Sequence, residues 1–358
     1  MDTTEILTKL NAPSAEERLE NLRRLIASED APPAVKPEYA NNHIHTTYSF
    51  SPYSPSAAVY FARAAGLPTA GIMDHDSIAG GAEFRAAGNI AGVGVTCGFE
   101  CRVCLAGSVF ANRKLNSPDQ AGVAYMAVHS VRERYFKRVG EVFEPLRERR
   151  NERNRAMTRR AAAATGVALD FDDDVLPLSM YNDGGSVTER HILCALALKL
   201  GAPGDGGRFW LYDMLGSMKK TLLPEIYIPA ADELPVLGEL VSLAAEIDAV
   251  LCYAYLGDVG VSVTGDKATA VYEDGFLDEL LLFMKNSGVH GVTFMPSRNS
   301  REQLVRLMSL CGNHGLTQIS GEDINSPRQS FICKQLAEPE FKHLVDAAWK
   351  MVNRETEG

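Results

Sequence analysis

The stretch Asn41-Asn42-His43-Ile44-His45-Thr46-Thr47-Tyr48-Ser49 is the most informative part of this chain. Its first half predicts a short strand, on which side chains two positions apart point to the same side. His43 and His45 can therefore bind one metal ion together, while Ile44 is buried on the opposite face. Neutral imidazole is a common ligand of zinc and related metals. The alternative for so short a motif is a polar strand end at the protein surface.

Other residues of metal-binding type stand at the ends of apolar runs further along the chain. The runs and their polar ends are residues 70–73 with Asp74-His75-Asp76, residues 93–99 with Glu100, residues 124–128 with His129, and residues 316–321 with Asp323 close behind. In an α/β barrel the carboxyl ends of the strands surround one pocket, so these side chains can meet there. The pattern therefore favours a metal-dependent hydrolase.

The motifs also follow one another in a familiar order. His43 to Ser49 is followed by Ser54-Pro55, by Met73-Asp74-His75-Asp76-Ser77, by Gly98-Phe99-Glu100 and, much later, by Ser320-Gly321-Glu322-Asp323-Ile324-Asn325. In order and spacing they resemble the PHP domain, the polymerase and histidinol phosphatase family. The resemblance covers about residues 39–130 and 246–335. It implies an α/β fold, a distorted (β/α) barrel of PHP type with a mainly helical insertion.

The same resemblance implies a set of metal ligands. Carried over position by position, His43, His45, Glu100 and Asp323 would hold a first ion. Glu100 would share a second ion with His129. We therefore expect a divalent transition metal, zinc, manganese or iron, at about one to two ions per chain.

Three positions depart from the family pattern. Phe50 stands where the family has an aspartate, Tyr255 where it has a histidine, and Asn325 in place of the final histidine. His75 loses its usual co-ligands in this way, so we expect it to carry protons rather than to hold a third ion. The departures also leave open a second function: a catalytically weakened binding or regulatory protein with a partial metal site.

The rhythm of strand, helix and strand predicts parallel pairing and a division of the chain into segments. These are a helical extension (1–38), the first barrel part (39–130), a helical insertion or cap (131–245), the second barrel part (246–335) and a C-terminal helix (336–358). Helices are predicted near 55–66, 188–200, 300–314 and 338–353.

The predicted insertion begins with a basic stretch. Residues 132–160 contain eleven Lys or Arg against five Asp or Glu, a balance of +6, in a chain whose net charge is −10. Most of these side chains fit a solvated helix face. Arg190 and His191, however, resemble a substrate-binding motif of caps in PHP-type nucleotide phosphodiesterases. Arg298 and Arg328, each near a predicted strand end, are further candidates for binding a substrate phosphate.

Composition and cysteines narrow the class of protein. No apolar stretch approaches the roughly 18 residues of a spanning helix, and the N-terminus lacks the pattern of a signal peptide, so we expect a cytoplasmic protein that binds no membrane. Seven cysteines argue against a disulfide scaffold. Cys97, Cys101 and Cys104 match the spacing of a radical SAM iron–sulfur motif, a less favoured alternative to buried, unligated cysteines.

Together these features predict metal-assisted hydrolysis of phosphate esters. A bound ion would activate water or polarise the phosphoryl group. His75 or Asp76 would transfer a proton. The expected partner is a small molecule or nucleotide that carries phosphate, and nucleic-acid ends are possible substrates.

Overall fold

The computed structural model describes residues 2–28, 31–32, 35–117, 119–201, 207–259 and 270–356. Within these residues the strands are β1 (Asn41–Ile44), β2 (Thr69–His75), β3 (Gly94–Cys104), β4 (Val123–His129), β5 (Val250–Ala254), β6 (Gly291–Phe294) and β7 (Thr317–Ser320). They form one seven-stranded sheet, in which the spatial order follows the chain from β1 to β7.

The described helices surround this sheet and form most of the insertion. They are α1 (Thr3–Leu10), α2 (Ala15–Ile26), α3 (Pro55–Ala64), α4 (Gly81–Ala91), α5 (Phe136–Thr165), α6 (Glu189–Lys199), α7 (Gly207–Thr221), α8 (Leu223–Ile226), α9 (Leu237–Glu246), α10 (Leu277–Asn286), α11 (Arg301–His314) and α12 (Lys342–Thr356). The four helices predicted from sequence correspond to α3, α6, α11 and α12. None of the described helices has both the length and the apolar composition needed to cross a bilayer.

The strand directions agree with the sequence except at β4. Parallel pairing holds from β1 to β3 and from β5 to β7, as the repeated strand and helix pattern predicts. The prediction is wrong for β4, which is antiparallel to both neighbours. A parallel connection needs a crossover, usually a helix. Among the described residues between β3 and β4 there is no helix, so the chain returns antiparallel.

The sheet curls until its last strand meets its first. Just beyond β7, Ile324 forms a parallel bridge with Ile44: the His45 amide donates to the Ile324 carbonyl at 2.9 Å, and the Ile324 amide donates to the His43 carbonyl at 3.0 Å. Two side chains reinforce this seam. Asn42 donates to the Ser320 carbonyl at 2.9 Å, 278 positions away. Asn41 Oδ1 accepts the backbone amides of His43 and Glu322.

The two faces of the sheet are buried against different partners. Outward side chains such as Ile44, Ile72 and Phe99 join the large core beneath the surrounding helices. At the lower end of the inner face, Val250, Cys252 and Ile319 pack against Met351 of α12. The expected C-terminal helix therefore packs directly against the sheet, and the predicted α/β architecture is confirmed.

A second hydrophobic cluster lies within the insertion. Met157 and Ala161 of α5, Ile192 and Leu193 of α6, Leu215 of α7 and Ile226 of α8 are among its buried members. Phe50, from the loop after β1, is buried in the same cluster and thereby ties the barrel to the cap. Helix α9, by contrast, packs on the main core. The limits of the insertion at residues 131 and 245 stay a prediction.

A buried network of ion pairs fixes the insertion above the sheet. At its centre Glu233, whose side chain is only 2% exposed, accepts from Arg102 of β3 at 2.9 Å and from Arg153 of α5 at 2.7 Å. Arg153 also pairs with Glu189, at the start of α6, at 2.7 Å. Arg150 joins Glu233 to Asp76, which follows β2. Part of the predicted solvated basic face is therefore buried.

Replacing Glu233 with alanine should strongly destabilise the protein. Arg102 and Arg153 would lose the carboxylate they share and remain as buried charges, and breaking such a pair costs about 3–5 kcal/mol. Urea denaturation measures the change in the free energy of unfolding. Glu246→Ala is the matched control, because its pair with Arg138 is about half exposed and contributes little. Equal, small effects in both variants would contradict a structural role for the network.

Candidate metal centre

Four of the predicted ligands converge although they come from three distant parts of the chain. His43 Nε2 lies 3.2 Å from Glu100 Oε2, and His45 Nε2 lies 3.3 Å from Glu100 Oε1. His45 Nε2 also lies 3.2 Å from Asp323 Oδ1. Of the described residues, His43, His45 and Glu100 are the group whose ligand atoms all lie within 4.8 Å of one another, and all three are buried.

These atoms fit a shared metal ion better than they fit one another. His43 Nε2 and His45 Nε2 are buried and face carboxylates, yet neither makes a hydrogen bond of acceptable geometry in the described part of the chain. Two imidazole nitrogens and two carboxylates form the mixed N/O donor set that divalent transition metals prefer. Burial opposes ionisation of Glu100, but His75 and His43 beside it lower the pKa of that carboxyl well below its usual range.

The orientation of His45 is set by residues that do not touch the other ligands. Its Nδ1 donates to Ser49 Oγ at 3.1 Å, and Ser49 Oγ donates to Asp74 Oδ1 at 2.6 Å. Asp74 also accepts the amide and the hydroxyl of Thr46, both at 2.6 Å. A proton on Nδ1 leaves the Nε2 lone pair free on the side of Glu100 and Asp323, so these hydrogen bonds favour the tautomer that could bind a metal.

Asp323 is held in place by Asn325, in the segment that follows β7. The Asn325 side chain donates to Asp323 Oδ1 at 2.5 Å. Burial opposes ionisation here too, but the contact with His45 and the charges of His45 and His43 lower the pKa of Asp323 well below its usual range. The close approach also depends on Gly321, since a Cβ there would lie 2.6 Å from the Cβ of His43.

His129 lies nearer to the amino-terminal end of β3 than Glu100 does. Ala127 pairs with Glu100 and β4 runs antiparallel to β3. By extension of this register, His129 lies opposite Gly98, two residues before Glu100. The ring is completely buried, and neither of its nitrogens finds a hydrogen-bond partner among the described residues. Burial, aided by the charge of His43, lowers the pKa of His129 to about 3. A neutral imidazole next to Glu100 is a suitable ligand for a second ion.

The two predicted catalytic residues have different surroundings. His75 Nδ1 lies 2.8 Å from Glu100 Oε1, its ring centroid is 4.7 Å from that of His45, and its side chain is 28% exposed. It can therefore reach both the ligands and solvent. Asp76 is buried, pairs with Arg150 and has a positive φ of 49°. It supports the cap in this structure, and its catalytic assignment stays a prediction.

Arg190 and His191 lie where the cap meets the barrel. Arg190 donates to the Asn325 carbonyl at 3.5 Å, and it contributes to the lowered pKa of Asp323. His191 is buried, and its Nδ1 accepts the Thr188 amide at 2.9 Å, which caps α6. Burial lowers the pKa of His191 to about 3. Arg190 is thus closer to the metal ligands than the sequence could indicate, whereas His191 shapes the helix start.

The other two predicted phosphate-binding arginines contact protein groups. Arg298 donates to the Leu256 carbonyl at 3.1 Å. Arg328 is 56% exposed and forms a two-bond ion pair with Asp213 of α7 at 2.5 Å. That pair joins α7 to the segment carrying Asp323. A role for either arginine in binding substrate stays a prediction.

The three cysteines with iron–sulfur spacing do not share a site. Cys97 and Cys101 lie on one face of β3 and pack in the main core. Cys104 is an odd number of positions away, so it points to the other face, where it packs beside Val123. Three thiolates divided between opposite faces of one strand cannot ligate one cluster, which argues against the radical SAM alternative.

Several residues of the centre were not assigned from the sequence. Asp74 was not assigned a role because the chemical roles were given to its neighbours, His75 and Asp76. Arg102 was missed because Glu100 was taken as the end of its strand, whereas β3 continues to Cys104. The rule that alternate strand residues share a face would have found Arg102 once the full strand was known.

Comparisons with known proteins support the fold. No protein-family model and no curated protein matches the sequence. A provisionally named metal-dependent phosphoesterase from Bifidobacterium adolescentis has a TM-score of 0.62 and 20% identity, covering 88% of this chain and 97% of that chain. An amidohydrolase from Chromobacterium violaceum, with bound sulfate and no metal, has a TM-score of 0.62 and 17% identity, covering 86% of this chain and 96% of that one. At such identities the likeness establishes the fold, and it is the fold that the resemblance to PHP domains implies.

Replacing Ser49 with alanine should weaken metal binding without removing a ligand. His45 would lose the hydrogen bond that orients its ring, and the loss of such a supporting partner typically costs about 10–100-fold in metal affinity. Competition with a chelator of known affinity measures the change. Ser287→Ala is the control, because its hydroxyl donates to its own helix at the Phe283 carbonyl. Unchanged affinity in Ser49→Ala would show that Ser49 does not hold His45.

Proposed function

We propose that this chain is a metal-dependent phosphoesterase, a hydrolase that cleaves phosphate esters of small molecules or nucleotides. The observation that carries the proposal is the convergence of His43, His45, Glu100 and Asp323, with two buried imidazole nitrogens that find no other partner. The fold shared with a provisionally named metal-dependent phosphoesterase supports it. We propose that these four residues hold one ion and that His129 and Glu100 hold a second.

The residues divide the work of such a reaction. A bound divalent ion would supply Lewis-acid stabilisation of the phosphoryl group and a more acidic water. His43, His45, Glu100 and Asp323 would hold it. His75, beside Glu100 and partly exposed, would move a proton between the reacting group and solvent. Arg190 at the cap would attract and orient the anionic substrate.

A second candidate function is a binding or regulatory protein with a partial metal site. It is favoured by the contacts that the residues make at the three positions departing from the family pattern. Phe50 is buried in the cap, with its ring edge-on to His191 at 4.9 Å. The Tyr255 hydroxyl donates to Asp274 at 2.6 Å, and Asn325 supports Asp323. Each side chain stabilises structure where the family pattern has a ligand, so a third ion is not part of either function.

The proposal is tested by removing metal with a chelator and adding back zinc, manganese or iron singly. Turnover is then measured on aryl phosphate monoesters and diesters, nucleotides and oligonucleotides with phosphorylated ends. We expect about one to two bound ions and metal-dependent turnover of at least one ester class. Firm metal binding with no turnover by any reconstituted form would instead favour the binding protein.

Removing two ligands at once should abolish metal binding. His45→Ala with Asp323→Ala deletes one imidazole and one carboxylate of the donor set, and both metal content and turnover should be lost. The matched control is His314→Ala with Asp278→Ala. It removes another His–Asp pair, with a contact of 2.7 Å, that is not part of the centre. Elemental analysis of the purified variants gives the result. Metal content equal to wild type in the first double variant would refute the ligand assignment.

Changing His75 to asparagine should separate proton transfer from metal binding. The asparagine amide can keep a hydrogen bond to Glu100, but it cannot carry a proton as imidazole does. We expect turnover to fall by roughly 100-fold or more, the usual scale for a lost general acid or base. Metal content should stay at the wild-type level, and His314→Asn should change neither quantity. If His75→Asn loses its metal, His75 is a ligand and the proton-transfer role is wrong.

A further inference from the structure

The aromatic rings at the metal centre form a row that continues beyond the predicted ligands. The ring centroids of His43 and His45 are 5.1 Å apart, and those of His45 and His75 are 4.7 Å apart. Tyr125 of β4 follows, with its ring centroid 6.0 Å from that of His75. The phenol therefore lies beyond His75 in this row, outside the group of predicted ligands.

The sheet register directs Tyr125 toward the ligands. Tyr125 is paired with Arg102 across the antiparallel β3–β4 ladder, so the two side chains share a face. Glu100, two residues before Arg102 on β3, shares that face as well. Backbone pairing thus places the Tyr125 side chain on the face of the sheet that carries Glu100, two positions along the ladder from it.

Tyr125 is also held firmly in position. Asn116 Oδ1 accepts the Tyr125 amide at 2.8 Å, and Asn116 Nδ2 donates to the Tyr125 carbonyl at 2.9 Å. On the sheet, the buried Arg102 beside it is fixed by Glu233. A residue gripped at both backbone groups and flanked by fixed side chains presents its hydroxyl with little loss of freedom when a ligand binds.

The Tyr125 hydroxyl makes no hydrogen bond within the described part of the chain, and the residue is partly exposed. This contrasts with other tyrosines near the site. The Tyr255 hydroxyl donates to Asp274, and the Tyr227 hydroxyl accepts from Arg102. Burial raises the pKa of Tyr125, with Arg102 opposing the effect, so the phenol keeps its proton and can donate.

We propose that Tyr125 is a substrate-contacting residue whose hydroxyl donates a hydrogen bond to a non-bridging oxygen of the phosphoryl group at the His43–His45–Glu100–Asp323 centre. This assignment rests on the proposed function. The hydroxyl contacts the phosphoryl group in the ester and in the product phosphate alike. It therefore acts on affinity for both, and not on metal binding.

The test uses the full-length, metal-loaded protein and Tyr125→Phe, which removes a single oxygen. Two quantities are measured: the Kd of inorganic phosphate by titration calorimetry, and kcat/KM for the best aryl phosphate or nucleotide. We expect the Kd to rise and kcat/KM to fall by about tenfold or more, the scale of a hydrogen bond to a charged group. Metal content and Tm should match wild type.

Tyr135→Phe is the matched control, because it also removes one phenol oxygen. Tyr135 lies at the start of α5, and its ring packs on the main core. It should leave both quantities unchanged. Phosphate affinity and kcat/KM within twofold of wild type in Tyr125→Phe would overturn the assignment. So would losses that accompany lost metal, because they would indicate a structural role. If wild type itself neither binds phosphate nor cleaves any ester, the proposed function fails, and the assignment fails with it.

Discussion

Asn41 and Asn42 join the first strand of the sheet to the last, and the metal centre depends on this seam. The backbone bridge between Ile44 and Ile324 and the side-chain bonds to Ser320 and Glu322 bring β7 against β1. Only then does Asp323 reach His45. Hydrogen bonds buried in this way are costly to leave unmade, which gives the seam one strongly preferred register. Gly321 permits the close contact because it carries no side chain to strike His43.

Buried ion pairs join the insertion to β3, the strand that carries Glu100. Glu233 gathers Arg102 and Arg153, and Arg153 reaches Glu189 beside the predicted substrate residue Arg190. Arg102 lies two positions from Glu100, so one strand carries both a predicted metal ligand and an arginine that is ion-paired to the cap. In a buried network each charge needs its partner, because desolvation of an unpaired ion is expensive. The relative position of cap and ligands is therefore narrowly fixed.

At the three positions that depart from the family pattern, the side chains present take part in packing or hydrogen bonding. Phe50 adds apolar area to the cap, and Tyr255 holds the loop that contains Asp274. The Asn325 side chain donates to Asp323, a predicted metal ligand.

The sequence alone determined the local features, because they follow from short periodicities and caps. The two-residue spacing of His43 and His45, helix α6 after Thr188 and helix α11 after Ser300 were all predictable. Tertiary structure decided what depends on distant contacts: the antiparallel direction of β4, the depth of His129 and the burial of Arg102 and Asp76 in one network. Spacing cannot reveal these, since residues far apart in the chain meet only after the sheet has closed and the cap has packed upon it.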